Sequence, residues 1–272
     1  MGQHTIDVIV EKTSRSLING QQGWPEYGVA RVLRWKGEQE ENNGTSYVLT
    51  LVDGPQSSAT AVPEISCFPV PSSLGCEEAL LAVPLAAALR AWDRLRLELG
   101  EVAVYTEGGG FADLLGLVAV WRGGLPVIRL DYDSGRDPLE NGERLSINDP
   151  EETLRQLQNR IKDKPGFAAI DLSGRPEVID LLLEVAPRWG RVMLVGQTRK
   201  SVTIDFYNNV HRKGTLLLCD VFDPAMMLKK KECETYLSAA FRLLENKHIV
   251  EICARLIPAG NPTGSFLKRN GQ

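Results

Sequence analysis

The sequence predicts an α/β protein whose larger domain is a doubly wound parallel sheet, with a smaller β-rich domain before it. From residue 101 onward, runs that are apolar throughout alternate with helical stretches, the pattern of strands buried on both faces. Before about residue 70, β-type runs such as GVARVLRW and TSYVLTLV lie between the turn-rich phrases NGQQGWPEYG, GEQEENNG and DGPQSSATAVPE. That punctuation belongs to short strands and turns. A chain of 272 residues, 43% hydrophobic, can bury a large core or two modest ones.

Taken in order, CEEALLAVPLAAALRAWDRL from residue 76 reads as a helix that bends or restarts at Pro84. EVAVYTE (101–107) is a strand, and DLLGLVAVWRG (113–123) a helix with almost no polar face. PVIRLD (126–131) is the next strand. PEETLRQLQNRIKD (150–163) is an amphipathic helix with Leu154, Leu157 and Ile161 on one stripe. GFAAIDLSG (166–174) and RVMLVGQ (191–197) are strands, with the helix PEVIDLLLEV between them. TLLLCDV (215–221) is the last strand and CETYLSAAFRLLENK (233–247) a final helix. The expected domains are residues 1–88, completed by 248–272, and the sheet domain 89–247.

Charge and composition exclude several classes. There are 31 basic against 35 acidic residues, a net charge of −4, so no electrostatic case exists for nucleic acid or an anionic membrane surface. No apolar run reaches the roughly 18 residues of a spanning helix, and MGQHTIDVIVEKTSRS has no apolar signal core. A cytoplasmic protein is expected. The five cysteines show no CxxC spacing, and His4, His211 and His248 lie far apart, so no metal centre is expected. The five tryptophans are expected to pack cores.

The chemistry of such a sheet lies where its first strand turns into its first helix. Here that turn reads Glu107-Gly108-Gly109-Gly110-Phe111-Ala112-Asp113. Gly108, Gly109 and Gly110 would let backbone N–H groups approach a pyrophosphate at a helix N-terminus, where the dipole favours anions. A tight turn that binds nothing is the other reading. Asp113 stands where a GxGxxG fingerprint has its third glycine; its carboxylate either opposes a phosphate or points toward the sheet with a mainly steric penalty, and in both cases dinucleotide binding is expected to be weak or altered in pose. The next strand ends in Asp131, about twenty residues beyond Gly110, where an acid accepts the ribose hydroxyls of NAD and repels the 2′-phosphate of NADP; Asp133 in the same acid-rich DYDSGRD loop is the alternative, and a plain strand-end acid the other reading. Ser173 with Gly174, and Gly196 with Gln197, end two further strands and are expected to line the same crevice.

From about Ala59 to Gln272 the chain resembles the medium-chain dehydrogenase/reductase superfamily, in its zinc-type polyol and alcohol dehydrogenase branch. The phrases that carry the resemblance are FPVPSSLGCEEALLAVPLAAALRAW, the strand–glycine–helix turn, AAIDLSG, APRWGRVMLVGQ, VTIDFYNNVHRKGTLLL and ETYLSAAFRLLENK, in family order. The resemblance implies a Rossmann-type dinucleotide domain, with Ser173 and Gly196 beside the adenosine and the nicotinamide. It also implies a homodimer joined through the strand around Thr215–Val221. The departures are equally plain. The β-rich domain is about half the family's usual length, and the four-cysteine lobe is missing. Where the family's GHE phrase supplies ligands the chain has Trp24-Pro25-Glu26-Tyr27, and Val83 stands where the polyol branch has Glu. The expectation is therefore a shortened, zinc-free member using NAD, with NADP second, to move hydride to or from a small carbonyl, alcohol or enone. No catalytic residue can be assigned. A dehydrogenase-derived dimer that has lost catalysis and serves interaction or nucleotide sensing remains the alternative, with a small-molecule binding protein third.

Overall fold

The computed structural model describes residues 5–14, 27–35, 46–49, 59–63, 67–107, 110–132, 142–196, 201–219 and 230–256. The chain divides into two compact units, Met1–Ala87 with Phe222–Gln272, and Ala88–Val221.

In the first unit, strands β1 (Thr5–Ser14), β2 (Tyr27–Trp35), β3 (Ser46–Leu49), β4 (Ala59–Pro63) and β5 (Cys67–Pro69) form an antiparallel sheet in the order β4-β1-β2-β3-β5. Register shifts interrupt β1 between Asp7 and Val8 and between Val10 and Lys12, which lets the ribbon bend and twist more strongly. Helix α1 (Cys76–Leu80) stops at Leu81, and α2 (Ala82–Arg94) begins immediately after. Pro84 therefore sits in a first helical turn, where its missing N–H costs nothing.

The second unit holds six strands in parallel register: β6 (Val102–Thr106), β7 (Val127–Asp131), β8 (Gly142–Ser146), β9 (Phe167–Asp171), β10 (Arg191–Leu194) and β11 (Leu216–Cys219). Between them run α3 (Gly110–Trp121), α4 (Pro150–Ile161), α5 (Pro176–Val185) and a short π-helical segment, Phe206–His211. The sheet order is β11-β10-β9-β6-β7-β8. Counting from β6 as the first strand, this is the 3-2-1-4-5-6 order of the doubly wound nucleotide-binding fold. Val104, Ile128, Phe167, Ala169 and Val192 from four strands share one buried cluster with Leu182 of α5. Helix α4 starts as its sequence asks: Asp149 accepts from Glu152 N at 3.0 Å and Pro150 occupies the first turn.

Two expectations need correcting. Strand β8 was absent from the sequence reading because its GERLS run is polar and only Leu145 is buried, as suits an edge strand. In the first unit, α6 (Lys230–Leu244) packs on α1 and α7 (Lys247–Leu256). Trp92 is a core residue, its indole N–H donating to Leu115 O at 2.8 Å. Trp121 and Trp189 are not, at 39% and 73% exposure. The Trp189 ring lies across Gly214, whose φ of +67° and lack of a Cβ leave room for it.

Candidate functional site

The order of the sheet reverses between β6 and β9, and in open α/β sheets ligands collect outside the carboxyl ends of the strands at such a point. A buried hydrogen-bond hub ties these two strand ends together. Thr106 Oγ1 donates to Asp171 Oδ1 at 3.2 Å and accepts from Leu172 N at 2.7 Å. Asp171 also accepts from Ser173 Oγ at 2.6 Å, Ser173 N at 3.0 Å and Gly174 N at 2.9 Å. Burial pushes the Asp171 carboxyl up from its ordinary range, and these donors pull against that shift. The result is a fixed turn with Ser173 half-buried at its crest. From the neighbouring strand, Gly196 N donates to Asp171 O at 3.0 Å. A Cβ on Gly196 would lie 2.3 Å from Gly174 N and 2.6 Å from Leu172 O. Only glycine allows these two strand ends to close so tightly.

Of the glycine turn, Gly108 and Gly109 lie outside the described residues, as does Gln197. Gly110 is the buried first residue of α3. Asp113, one turn later, does not stand free against a ligand. It is buried and pairs with Arg129 of β7, Oδ1 to Nη1 at 2.5 Å. Of the two orientations open to Asp113, the side chain takes the one toward the sheet.

Arg129 and Asp131 are two residues apart on β7 and so share one face of the sheet. Arg129 Nε lies 3.1 Å from Asp131 Oδ2, and Arg144 Nη2 of β8 lies 3.2 Å from the same oxygen. Asp131 is 5% exposed. Glu107, at the end of β6, is hydrogen-bonded to the Asp131 side chain, and burial first, then that bond, raises its carboxyl above the usual range. The acid assigned to the ribose is therefore already engaged by two guanidinium groups and a neighbouring carboxyl. Beside it, the Arg175 guanidinium stacks 4.3 Å over the Tyr132 ring and lies 3.6 Å from Glu107.

The sequence reading missed Arg129, Arg144, Thr106 and Glu107. A signal for the first was present: one acid in a helix without a polar face, then one base inside the next apolar strand. His211 is exposed in the π-helical segment and stacks on Tyr207; no candidate site residue touches it among the contacts described. Among the described residues no three His, Cys, Asp or Glu side chains converge as metal ligands.

No family profile matches the chain. Over 165 residues, 60% of this chain, it is 24% identical to an L-threonine 3-dehydrogenase of Chromobacterium violaceum, covering 48% of that protein. The chain thus spans about half the length of the curated relatives it matches. Galactitol-1-phosphate dehydrogenase from Escherichia coli shares the fold with a TM-score of 0.71 at 14% identity, over 90% of this chain and 82% of that one. An alcohol dehydrogenase from Thermus sp. ATN1 does so with a TM-score of 0.72 at 15% identity, over 99% and 91%. The chain is similar in sequence and in fold to the zinc-type medium-chain dehydrogenases. Its Gly110, Ser173 and Gly196 occupy the strand and helix ends of the parallel sheet, while Asp131 is closed off by Arg129 and Arg144.

Proposed function

We propose that the chain is an NAD(P)-dependent oxidoreductase that works without zinc on a small alcohol, carbonyl or enone. The observation that carries this reading is the 3-2-1-4-5-6 strand order, with a glycine turn leading from its first strand into α3. The residues present fit the pyrophosphate end of a dinucleotide. Gly110 brings the backbone of a 12-residue helix close to the crevice, and its dipole favours an anion there. The Asp113 charge is neutralised by Arg129 rather than directed at the phosphates. Ser173 and Gly196 would border the adenosine and nicotinamide, and the bound nicotinamide supplies the hydride chemistry. The chain's own part is to bind, orient and exclude water. The expectation of NAD through Asp131 needs a free carboxylate, and this one is engaged.

Zinc independence is supported by Trp24-Pro25-Glu26-Tyr27 standing where ligands would be sought. Residues 24–26 lie outside the described part. Homodimer formation through β11 is supported by its place at the sheet edge and by Leu216, 48% exposed. A second copy would cover that apolar edge. No described helix is long and apolar enough to cross a membrane.

The test is oxidation of NADH and NADPH by a panel of carbonyls and enones, with metal analysis and light scattering on the same protein. Turnover by metal-free dimer is expected. Activity lost and restored with stoichiometric zinc would refute zinc independence. Nucleotide binding without any turnover would favour the sensing reading, and absence of both would refute the proposal.

A further inference from the structure

The charge network around Asp131 bears on which dinucleotide the site takes. A carboxylate at this strand end selects NAD in two ways: it accepts the ribose hydroxyls, and its charge repels a 2′-phosphate. Both need an exposed and uncompensated negative charge. Asp131 provides neither. Its Oδ2 is held by Arg129 and Arg144, and it is 5% exposed. Within the group Asp113, Arg129, Asp131 and Arg144, two negative charges meet two positive ones. Glu107 is hydrogen-bonded to the Asp131 side chain and lies 3.6 Å from the Arg175 guanidinium. Half-exposed Arg175 adds a positive charge at the same strand ends. Each of the three described acids at these strand ends, Asp113, Asp131 and Glu107, is thus paired with a guanidinium, and Asp131 offers a 2′-phosphate no uncompensated charge.

We infer that this site accepts the 2′-phosphorylated dinucleotide at least as readily as the unphosphorylated one, because Arg129 and Arg144 withdraw Asp131 from ribose recognition. The inference rests on the dinucleotide reading above. Arg144 is the specificity-determining residue, since it reaches Asp131 from the edge strand β8 whereas Arg129 is shared with Asp113.

The experiment is fluorescence titration of the full chain with NADH and NADPH, repeated on Arg144→Ala and Arg144→Lys. NADPH should bind as tightly as NADH or more tightly. Arg144→Ala uncovers the Asp131 charge and should move the affinity ratio at least tenfold toward NADH. Arg144→Lys keeps a cation there and should hold the ratio close to the native one. NADH binding tenfold or more tighter than NADPH to the native chain overturns the inference and leaves the dinucleotide reading intact. A ratio unmoved in a folded Arg144→Ala variant also overturns it. Binding of neither dinucleotide overturns both. If the variants do not fold, the native ratio alone decides.

Discussion

Replacing Asp113 by Asn removes one charge from a buried pair with almost no change of shape. Asp113 and Arg129 have side chains 11% and 7% exposed, and their nearest atoms lie 2.5 Å apart. With charge centres at about 4 Å and an effective dielectric of ~20, the attraction is about 4 kcal/mol. Breaking a buried pair by removing one partner costs about 3–5 kcal/mol, because the other charge stays buried. Arg129 keeps Asp131 at 3.1 Å, so it is not fully orphaned and the expected loss is about 2–4 kcal/mol. For a chain of this size that lowers the melting midpoint by roughly 6–12 °C. Asp113→Gly should lose only about 0.3 kcal/mol more from backbone freedom, since Asn is itself a weak helix former. A double-mutant cycle with Arg129→Met should return a coupling of about 2 kcal/mol or more by urea denaturation. The reasoning is refuted if Asp113→Asn melts with the native chain while binding a dinucleotide tenfold more tightly. The acid would then face the phosphates rather than Arg129.

Three further outcomes follow from the same strand ends. Glu107 has its pKa raised above 4.5 by burial and by its bond to Asp131. Its contribution to stability is complete below the ordinary glutamate value and is lost as pH rises through the raised one. Glu107→Gln, always neutral, should therefore melt slightly above the native chain at neutral pH and with it in acid. Equal melting at every pH would mean that Glu107 carries no linked proton. Thr106→Val leaves Leu172 N without its 2.7 Å acceptor and Asp171 with one donor fewer, at a cost of about 1–3 kcal/mol in chemical denaturation. Gly196→Ala places a Cβ 2.3 Å from Gly174 N. It should cost about 1–3 kcal/mol as the β9 and β10 ends part, and weaken dinucleotide binding in the same titration.

The sheet was legible because apolar strands and amphipathic helices carry their periods in the residue order. FAAID and VAVYT are buried at every position, and nothing in those runs competes with that reading. Strand β8 was not legible, because an edge strand needs only one buried face and GERLS offers one buried Leu. The positions of Asp131, Ser173 and Gly196 at strand ends, and of Gly110 at the start of α3, could be read from the order of strands and helices. Their partners could not. Whether an acid faces a ligand or a guanidinium depends on which side chains adjacent elements turn toward it. Arg144 reaches Asp131 from a strand the sequence reading lacked.

Asp113 and Arg129 look like two separate departures in the sequence: an acid in place of the third glycine, and a base in the middle of a buried strand. The 2.5 Å pair makes them one. A third glycine lets the helix pack closely on the strand. An acid there puts a charge into a dry interface, which is tolerable only with a counter-charge on the facing strand. Arg129 supplies it, but a guanidinium presents five donors in a fixed fork, and one carboxylate does not use them all. Its Nε is buried beside Asp131 at 3.1 Å without a well-aligned hydrogen bond, so the second acid is held by charge more than by geometry. The guanidinium that answers Asp113 thus also ties the strand-end carboxylate into the interior network. On the proposed dinucleotide reading, the pair that turns Asp113 away from the phosphates also engages the acid that would tell the two dinucleotides apart.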